Sequence, residues 1–554
     1  MDLFGDSDDE LIESEYEEEV VNDADSENDD TEDEVDAEVD GEAGVGEGDP
    51  KWKSKDGTEW LKVPPQPKSS GRTPKQNIIH GIVGITPYAT SRIKDETSAF
   101  KLAFVDHTIK EMLLHTNQKG REKQGEEWAE MDLVELEAFI GLMILAAVFK
   151  GNKEALEGLW AEEMGRPIFR ATMPLKRFRT IHAMLRFDDK ATRSSKKGSG
   201  ILNVWNPWVD QQALLFRPNE SITIDEQLYG YRGRVFCKVF MDKKPDKYGF
   251  RIDHATCSAT GFVLKSQLYL GKSSDNRSKN VSETTVCNLV LNAGYEGRNV
   301  TTDNYYTSAS LAASLLKNAM TLVGTLRKNK RCIPPALLDL KGRSVGSSLY
   351  AYSGTETILS YVPKKNKNVL LLSTLHTDLQ QDNGQKPSII HFYNSTKGAV
   401  DTVDRRIASY SVKRATRNWM VVIVSDMIDL SLNNAYILYN AVFPGQYVTK
   451  NAGKRRFLQE LGNRLIDAHI VRRQVLPRGV LAATVVRDRK RKANESTQSL
   501  EASEGTSGGN LKRGKKRCAL CRGNDNKYRA ECSNCHKTLC SKHSIVFCTY
   551  CKDD

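Results

Sequence analysis

Residues 221–230 read SITIDEQLYG, and they open the stretch of sequence that decides the fold. Ile222 and Ile224 alternate with polar residues up to Asp225, which is the period of two that predicts a β-strand. Helices and further strands follow in a definite order. The predicted elements are strands at 238–241, 251–257 and 262–269, a helix at 282–291, a strand into residues 301–303, a helix at 308–318 and a strand at 321–325.

This order, in which consecutive strands are followed by helix, strand, helix and strand, is typical of an RNase H-like sheet. Helical patterns flank it, one from about residue 78 to residue 217 and another that begins at residue 398. Residues 328–387 contain short β-type segments and predict a β-rich insertion. We therefore expect a multidomain α/β protein, which the length of 554 residues also favours.

Four aspartates at the ends of predicted core elements are candidate metal ligands. Asp225 ends the first predicted strand, Asp303 ends the strand expected beside it, and Asp401 and Asp404 lie on one face of the late helix. In an RNase H-like sheet these three places meet. Hard cations such as Mg²⁺ prefer oxygen ligands, and two of them ~4 Å apart support phosphodiester cleavage. Taken singly, each aspartate is also an ordinary helix cap or turn residue.

The charge is divided unequally along the chain. Of the 72 acidic residues, 24 lie in residues 1–50, which contain no Lys or Arg; the remaining 504 residues therefore have 80 basic against 48 acidic side chains and a net charge of +32. A body with this charge attracts polyanions by neutralising phosphates. The acidic head is too charged to fold, so we expect disorder there. A sharper hypothesis is that the head mimics phosphate and shields the basic body.

The apolar segments predict no membrane span. The longest strongly apolar run, Ala138–Phe149, is shorter than the ~20 residues that a helix needs to cross a bilayer, and no signal-peptide pattern follows the acidic start. We therefore expect a soluble protein that is not secreted. In such a protein, clustered cysteines indicate metal binding rather than disulfides.

Seven of the eleven cysteines fall near the C-terminus, and with one histidine they form four close pairs. This spacing predicts two structural Zn²⁺ sites in a segment too small to have much of a core without metal. The eight predicted ligands are Cys518, Cys521, Cys532, Cys535, Cys540, His543, Cys548 and Cys551. Spacing alone leaves open whether the pairs combine sequentially or in a cross-brace.

Five longer blocks of sequence resemble, in order, the signature blocks of piggyBac transposases. They are residues 222–234 (ITIDEQLYGYRGR), 244–249 (KPDKYG), 302–308 (TDNYYTS), 324–330 (GTLRKNK) and 394–404 (NSTKGAVDTVD). The resemblance extends from about Ile85 to the C-terminus. It departs modestly in the last block, where the family often has Gly-Gly-Val-Asp and this chain has Gly-Ala-Val-Asp.

Carried over by position, the resemblance implies that Asp225, Asp303 and Asp401 are a catalytic triad and that Asp404 is an accessory acid. It implies cut-and-paste transposition with two Mg²⁺ ions, which Mn²⁺ can replace, by cleavage of transposon ends, hairpin intermediates and strand transfer into TTAA targets. The implied partners are double-stranded DNA, comprising terminal inverted repeats and the target, and a second copy of the chain in a homodimer. The resemblance also favours the cross-brace for the zinc ligands.

Basic residues outside the acidic sites supply candidate DNA contacts. Lys413, Arg414 and Arg417 surround Trp419, and bases stack on aromatic rings while cations hold phosphates. The resemblance favours this role; the alternative is a tryptophan that anchors its helix to the core. Basic clusters at residues 487–492 and 512–517 are typical of nuclear localisation signals or phosphate-binding segments, so we expect a nuclear protein.

These interpretations combine into one predicted layout and leave two rival functions. The layout is an acidic disordered head and basic linker (1–77), a helical DNA-binding and dimerisation domain in two parts (78–220 and 411–473), an RNase H-like catalytic core in two parts (221–327 and 388–410), a β-rich insertion (328–387), a basic linker with a nuclear localisation signal (474–517) and a cysteine-rich double-zinc domain (518–554). The main rival function is a domesticated, transposase-derived DNA-binding or chromatin protein that no longer cuts DNA. The other is a zinc-dependent protein-interaction or ubiquitin-ligase factor, which would require the C-terminal domain to work without the core.

Overall fold

The fold is described from a computed structural model of the chain. The structure describes residues 50–65, 74–271, 280–376, 386–447 and 452–504, together with the pairs 21–22, 516–517 and 527–528. The chain divides into two compact units, residues 1–486 and 487–554. The eight predicted zinc ligands and, apart from Val21–Asn22, the predicted disordered head lie outside the described residues.

Helices occupy most of the described chain before and after the central strands. Polar side chains cap several of their first turns: Asp95 accepts the Ser98 amide at 2.7 Å and Asp132 accepts the Glu135 amide at 2.9 Å. The helices are Pro87–Thr90, Glu96–Phe104, Asp106–Gln124, Leu133–Val148, Leu156–Trp160, Pro167–Thr172, Leu175–Met184, Ser199–Leu215, Val281–Val290, Ala309–Lys317, Pro335–Leu338, Ser388–Thr396, Ala399–Ala408, Trp419–Val442, Gly453–Val471 and Val480–Glu504, with 3₁₀ turns at Lys75–Asn77, Gly125–Glu127 and Lys190–Thr192.

The strands of the described chain are numbered β1 to β16. They are β1 Val21–Asn22, β2 Lys51–Lys53, β3 Glu59–Leu61, β4 Gly84–Ile85, β5 Phe216–Arg217, β6 Ser221–Gly230, β7 Val239–Phe240, β8 Tyr248–Cys257, β9 Val263–Leu268, β10 Asn299–Thr302, β11 Thr321–Thr325, β12 Ser348–Ser353, β13 Glu356–Lys364, β14 Lys367–Ser373, β15 Lys516–Arg517 and β16 Lys527–Tyr528. In the second unit, β15 and β16 form an antiparallel pair.

A large mixed sheet forms the centre of the first unit. Its strand order is β1-β7-β8-β6-β10-β11-β14-β13-β12-β3-β2, and β9 pairs with β8 beside this path. β10 lies parallel to both β6 and β11, whereas β8 runs antiparallel to β6 over its full length. The strand and helix order predicted for residues 221–325 is confirmed, and the fold is the mixed α/β arrangement that the sequence indicates.

Helical segments that are distant in sequence pack against each other and against the sheet. Gly141 and Gly462 bring the helices Leu133–Val148 and Gly453–Val471 close together, because a Cβ at Gly141 would lie 3.0 Å from the carbonyl oxygen of Gly462. Asn434, in the helix Trp419–Val442, bonds both the amide and the carbonyl of Val263 in β9. These contacts join the helices Leu133–Val148 and Gly453–Val471 and hold the helix Trp419–Val442 against β9.

The helix Trp419–Val442 is the one described helix that is long and apolar enough to cross a membrane. In the structure, 89% of its most apolar 18-residue window is buried inside the protein. Buried polar groups interrupt it, including Asp426, Asp429 and Asn434. The helix therefore has the surroundings of a core helix.

Two predicted linkers contain regular structure. In the segment 51–76, β2 and β3 form a hairpin in which Trp52 lies opposite Trp60, and β3 pairs with β12. Trp60 is only 1% exposed. In the segment 474–517, residues 480–504 are helical. Its first turns bury Ala483 and Val486, and the basic residues that follow are good helix formers. The predicted β-rich insertion continues the central sheet through β14.

Candidate active site

Parallel pairing of β6 and β10 determines the centre of the candidate site. Ile224 lies opposite Thr302, so the next residues, Asp225 and Asp303, are neighbours across the sheet. One carboxylate oxygen from each of Asp225, Asp303 and Glu226 lies within 4.8 Å of the other two. Asp225 was predicted to end its strand, but β6 continues to Gly230 because it pairs with β8 throughout, so Asp225 lies within the strand.

A tight turn presents Asp303. Its Oδ1 accepts the amides of Tyr305 at 3.0 Å and Tyr306 at 3.4 Å, and its carbonyl oxygen accepts the Thr307 hydroxyl at 2.6 Å. Thr307 in turn lies 2.7 Å from the hydroxyl of Thr302. Gly324 leaves room for this pair, because a Cβ there would lie 2.2 Å from Thr307 Oγ1. The backbone of the turn thus holds one carboxylate oxygen and leaves Oδ2 for a ligand.

The helix Ala399–Ala408 brings the other two predicted acids to this edge. Its buried face, which includes Val400 and Val403, packs on the sheet near β6 and β8. Asp404 is half-buried, and its Oδ1 has no hydrogen-bond partner among the described residues. Asp401 is exposed and lies outside the group of carboxylates within 4.8 Å, where Glu226 takes the third position. The sequence predicted that Asp401 would meet Asp225 and Asp303; the structure joins them with Glu226 instead.

Burial and mutual repulsion make the acidic groups hard to ionise. Burial, followed by the charges of Glu226 and Asp303, raises the pKa of Asp225 well above its ordinary value. Burial and then Glu226 raise the pKa of Asp303 to about 6. Burial, opposed by Lys244 and reinforced by Asp401, raises the pKa of Asp404 to about 7. Carboxylates that repel one another in this way are stabilised by a cation.

Two cations border the acidic group, and neither was singled out from the sequence. Lys244 donates to the carbonyl oxygen of Glu226 at 2.8 Å and lies 3.5 Å from its Oε1. Although burial opposes its charge, Glu226 and Asp225 keep the pKa of Lys244 raised. Arg327 partly offsets the effect of burial on Asp303, and its Nη2 is buried without a hydrogen-bond partner in the described chain. Both positions lie in the sequence blocks quoted above.

The residues present fit a divalent cation. Asp225, Glu226 and Asp303 supply oxygen ligands from adjacent strands, and the buried Asp404 Oδ1 offers a further unsatisfied oxygen nearby. Oxygen ligands of this kind suit Mg²⁺ and Mn²⁺. The net negative charge of the group, only partly offset by Lys244 and Arg327, has the sign that such an ion requires.

Comparison with known proteins identifies the family of the chain. The sequence profile of the family described as Transposase IS4, in its piggyBac-type form, matches residues 95–436. The chain belongs to this piggyBac-type transposase family. The resemblance seen in the sequence blocks is thereby confirmed, and the matched region contains Asp225, Asp303, Asp401 and Asp404.

The individual relatives have low sequence identity to this chain. The chain is 24% identical over 327 residues to human PiggyBac transposable element-derived protein 3, covering 55% of each chain, and 23% identical over 401 residues to human PiggyBac transposable element-derived protein 5, covering 66% of this chain and 74% of that one. It thus spans about half the length of the first of these. A cryo-EM structure of a piggyBac transposase synaptic complex with hairpin DNA matches with a TM-score of 0.68 and 28% identity, covering 85% of this chain and all of that chain.

The four predicted DNA contacts of this piggyBac-type chain have unequal surroundings. Lys413 donates to the Gly230 carbonyl and lies 4.6 Å from the Tyr229 ring, and Arg414 donates to the carbonyls of Gly151 and Glu154. Trp419 packs against Phe236 and Phe250, which favours the alternative of an anchoring tryptophan. Arg417 is the exposed member of the set.

Proposed function

We propose that this chain is a DNA transposase that cleaves DNA strands with divalent metal ions held by Asp225, Glu226 and Asp303, with Asp401 as a further ligand. The observation that carries the proposal is the meeting of three carboxylates within 4.8 Å on parallel strands of a family member's central sheet. Metal ions at such a site activate the attacking oxygen and stabilise the leaving oxygen of the phosphodiester.

The protein's own residues prepare this chemistry. The turn at Asp303 fixes one oxygen with two amides, and Lys244 limits the repulsion around Glu226. Arg327, with its unpartnered Nη2, is suited to bind a phosphate oxygen of the substrate. Asp404, whose buried Oδ1 has no hydrogen-bond partner among the described residues, would serve as an accessory acid beside these ligands.

The finer steps rest on the family resemblance. We propose excision of transposon ends through hairpin intermediates and strand transfer into TTAA sites by a nuclear homodimer, with two structural zinc ions in the C-terminal segment. The similarity to a transposase bound to hairpin DNA supports DNA as the substrate. An in vitro test is Mg²⁺-dependent nicking of a DNA fragment that contains the inverted repeats flanking the coding region.

A transposase-derived protein that binds DNA without cutting it is the second candidate. It is favoured by the human relatives, which are named as derived from transposable elements. The presence of all three triad aspartates, Asp225, Asp303 and Asp401, argues for the enzyme, since a protein that only binds DNA does not require them. DNA binding that persists without any metal-dependent nicking would favour the second candidate.

We expect Mg²⁺ to stabilise the protein more strongly as the pH rises from 5 to 8. The pKa values of Asp303 and Asp404 are raised from 3.8 to about 6 and about 7 in the folded state. Without metal, the folded state therefore binds more protons than the unfolded state between about pH 4 and 7, and stability falls as pH rises through this window. Metal competes with these protons and binds better once they leave.

Thermal unfolding with and without saturating Mg²⁺ at several pH values measures this effect. The increment in melting temperature should be small at pH 5 and largest near pH 8. Asp303→Asn should reduce the increment at pH 8. A metal increment that is constant with pH would contradict the role assigned to these acids.

We also expect removal of residues 1–50 to raise nonspecific DNA affinity at low salt. The 24 acidic side chains of this segment would compete with phosphates for a body whose net charge is +32. Charges interact over ~30 Å at ~0.01 M salt, so the gain should shrink as salt increases. Binding isotherms of full-length and truncated protein at several salt concentrations provide the measurement. Equal affinities at low salt would rule out a shielding role for the head.

A further inference from the structure

A buried side-chain triad lies directly behind the turn that presents Asp303. Arg251 and Asp253 belong to β8, and Tyr306 is part of the turn itself; they are 6%, 4% and 1% exposed. Arg251 Nε donates to Asp253 Oδ1 at 3.1 Å, and the Tyr306 hydroxyl donates to the same oxygen. Arg251 Nη2 also lies 3.4 Å from the Tyr306 hydroxyl oxygen. The three groups thus form one closed set of hydrogen bonds.

The triad contacts both residues whose backbone amides donate to Asp303. The amides belong to Tyr305 and Tyr306, and the side chains of both residues contact Arg251. The Arg251 guanidinium lies 4.6 Å from the Tyr305 ring centroid, and the two tyrosine rings meet edge to face at 4.8 Å. Movement of Arg251 would therefore disturb the main chain that holds the Asp303 carboxylate.

The triad also lies next to Glu226, on the strand that carries the other acids of the site. Asp253 lies opposite Glu226 in the pairing of β8 with β6. It consequently connects the turn after β10 to the strand that carries Asp225 and Glu226. A buried ion pair contributes little net stability, because the cost of desolvation offsets the attraction. The position of the Arg251–Asp253 ion pair is therefore better explained by the geometry that it imposes on Asp303 and Glu226.

We propose that Tyr306 is a positioning residue of the metal centre, which acts with Arg251 and Asp253 to set the orientation of the Asp303 carboxylate. The inference rests on the proposed function, in which Asp303 binds a divalent cation. Residues that orient a metal ligand without touching the metal typically change metal affinity by ~10–100-fold when they are replaced. Tyr306 would belong to this class, because its amide donates to Asp303 and its hydroxyl donates to Asp253.

The test is Tyr306→Phe in the full-length protein, with Mn²⁺ as the probe and electron paramagnetic resonance as the readout of free ion. The variant removes the hydroxyl that joins the turn to Asp253 and keeps the ring. We expect Mn²⁺ to bind at least ~10-fold more weakly to the site that Asp225→Asn eliminates. Tyr295→Phe is the matched control, since Tyr295 is also 1% exposed, its hydroxyl has no partner among the described residues, and it precedes β10 at the end away from Asp303.

The outcomes separate positioning from simple stability. Wild-type Mn²⁺ affinity in Tyr306→Phe would overturn the proposal, even if the melting temperature fell. Should that variant not fold, Asp253→Asn, which keeps an oxygen to accept the tyrosine hydroxyl but lacks the charge, should weaken Mn²⁺ binding in the same direction; unchanged affinity there would overturn the proposal as well. Mn²⁺ binding that is equal in Asp225→Asn and wild type would instead refute the proposed metal centre itself.

Discussion

Asp303→Asn is expected to reduce DNA strand cleavage by at least about a thousandfold while leaving DNA binding close to that of the wild type. The substitution removes an anionic oxygen from the three carboxylates that meet within 4.8 Å. Metal ions contribute several kcal/mol to transition-state stabilisation, and each ~1.4 kcal/mol is a factor of ten in rate. Asparagine keeps an oxygen that can accept the Tyr305 and Tyr306 amides, so the turn should remain folded.

Mg²⁺-dependent nicking of the element's own ends, with DNA affinity measured in parallel, checks this expectation. Asp225→Asn and Asp401→Asn should behave in the same way. Asp242→Asn is the matched control, because Asp242 is exposed and pairs with Lys247 on the surface. Full cleavage activity in any of the three variants would remove that residue from the set of ligands.

Asp404→Asn should have a smaller effect than Asp401→Asn. The pKa of Asp404 is about 7, so near neutral pH the residue spends much of its time protonated, a form that asparagine resembles. Asp401 is exposed on the same helix, and under the proposed function its carboxylate would bind the metal directly. A smaller effect of Asp404→Asn would therefore assign different roles to two acids on one short helix.

The predictable part of the site was the part fixed by strand order. Asp225 and Asp303 could be paired from the sequence because parallel neighbours in a sheet bring successive strand ends together, and the register Ile224 to Thr302 does so here. Glu226 was not singled out from the sequence, and strand alternation does not predict it beside Asp225, because adjacent residues of an ideal strand point to opposite faces. Its oxygen nevertheless reaches the same group.

The remaining differences between prediction and structure arise from long-range packing, which the periodicity of the sequence does not predict. The sequence around Lys413 and Arg414 indicates no partner for their side chains, but both side chains donate hydrogen bonds to backbone carbonyls of distant segments. The hairpin around Trp60 was predicted as a linker because Pro, Ser and Lys dominate its neighbourhood, whereas in the structure Trp60 is buried and β3 pairs with β12. Long-range burial decides such positions, and the local pattern carries little information about it.

Chelation of zinc is expected to unfold the C-terminal segment, with a larger free-energy change than any single substitution considered above. Two ions bound by eight ligands between Cys518 and Cys551 would each contribute ~10–16 kcal/mol of binding free energy, which is folding free energy for so small a segment. Elemental analysis of the full-length protein should find two zinc ions per chain. Cys332→Ser, at a free cysteine in the first unit, should leave both in place.

Paired substitutions then determine how the ligands combine. Cys518→Ser and Cys540→Ser should each release one zinc ion. In a cross-brace, the first and third pairs share an ion, so the double variant should also lose only one; with sequential pairing the two substitutions fall in different sites and the double variant should lose both. One zinc or none in the wild-type protein would refute the eight-ligand assignment, because thiolate and imidazole ligands in four close pairs are sufficient for two tetrahedral sites.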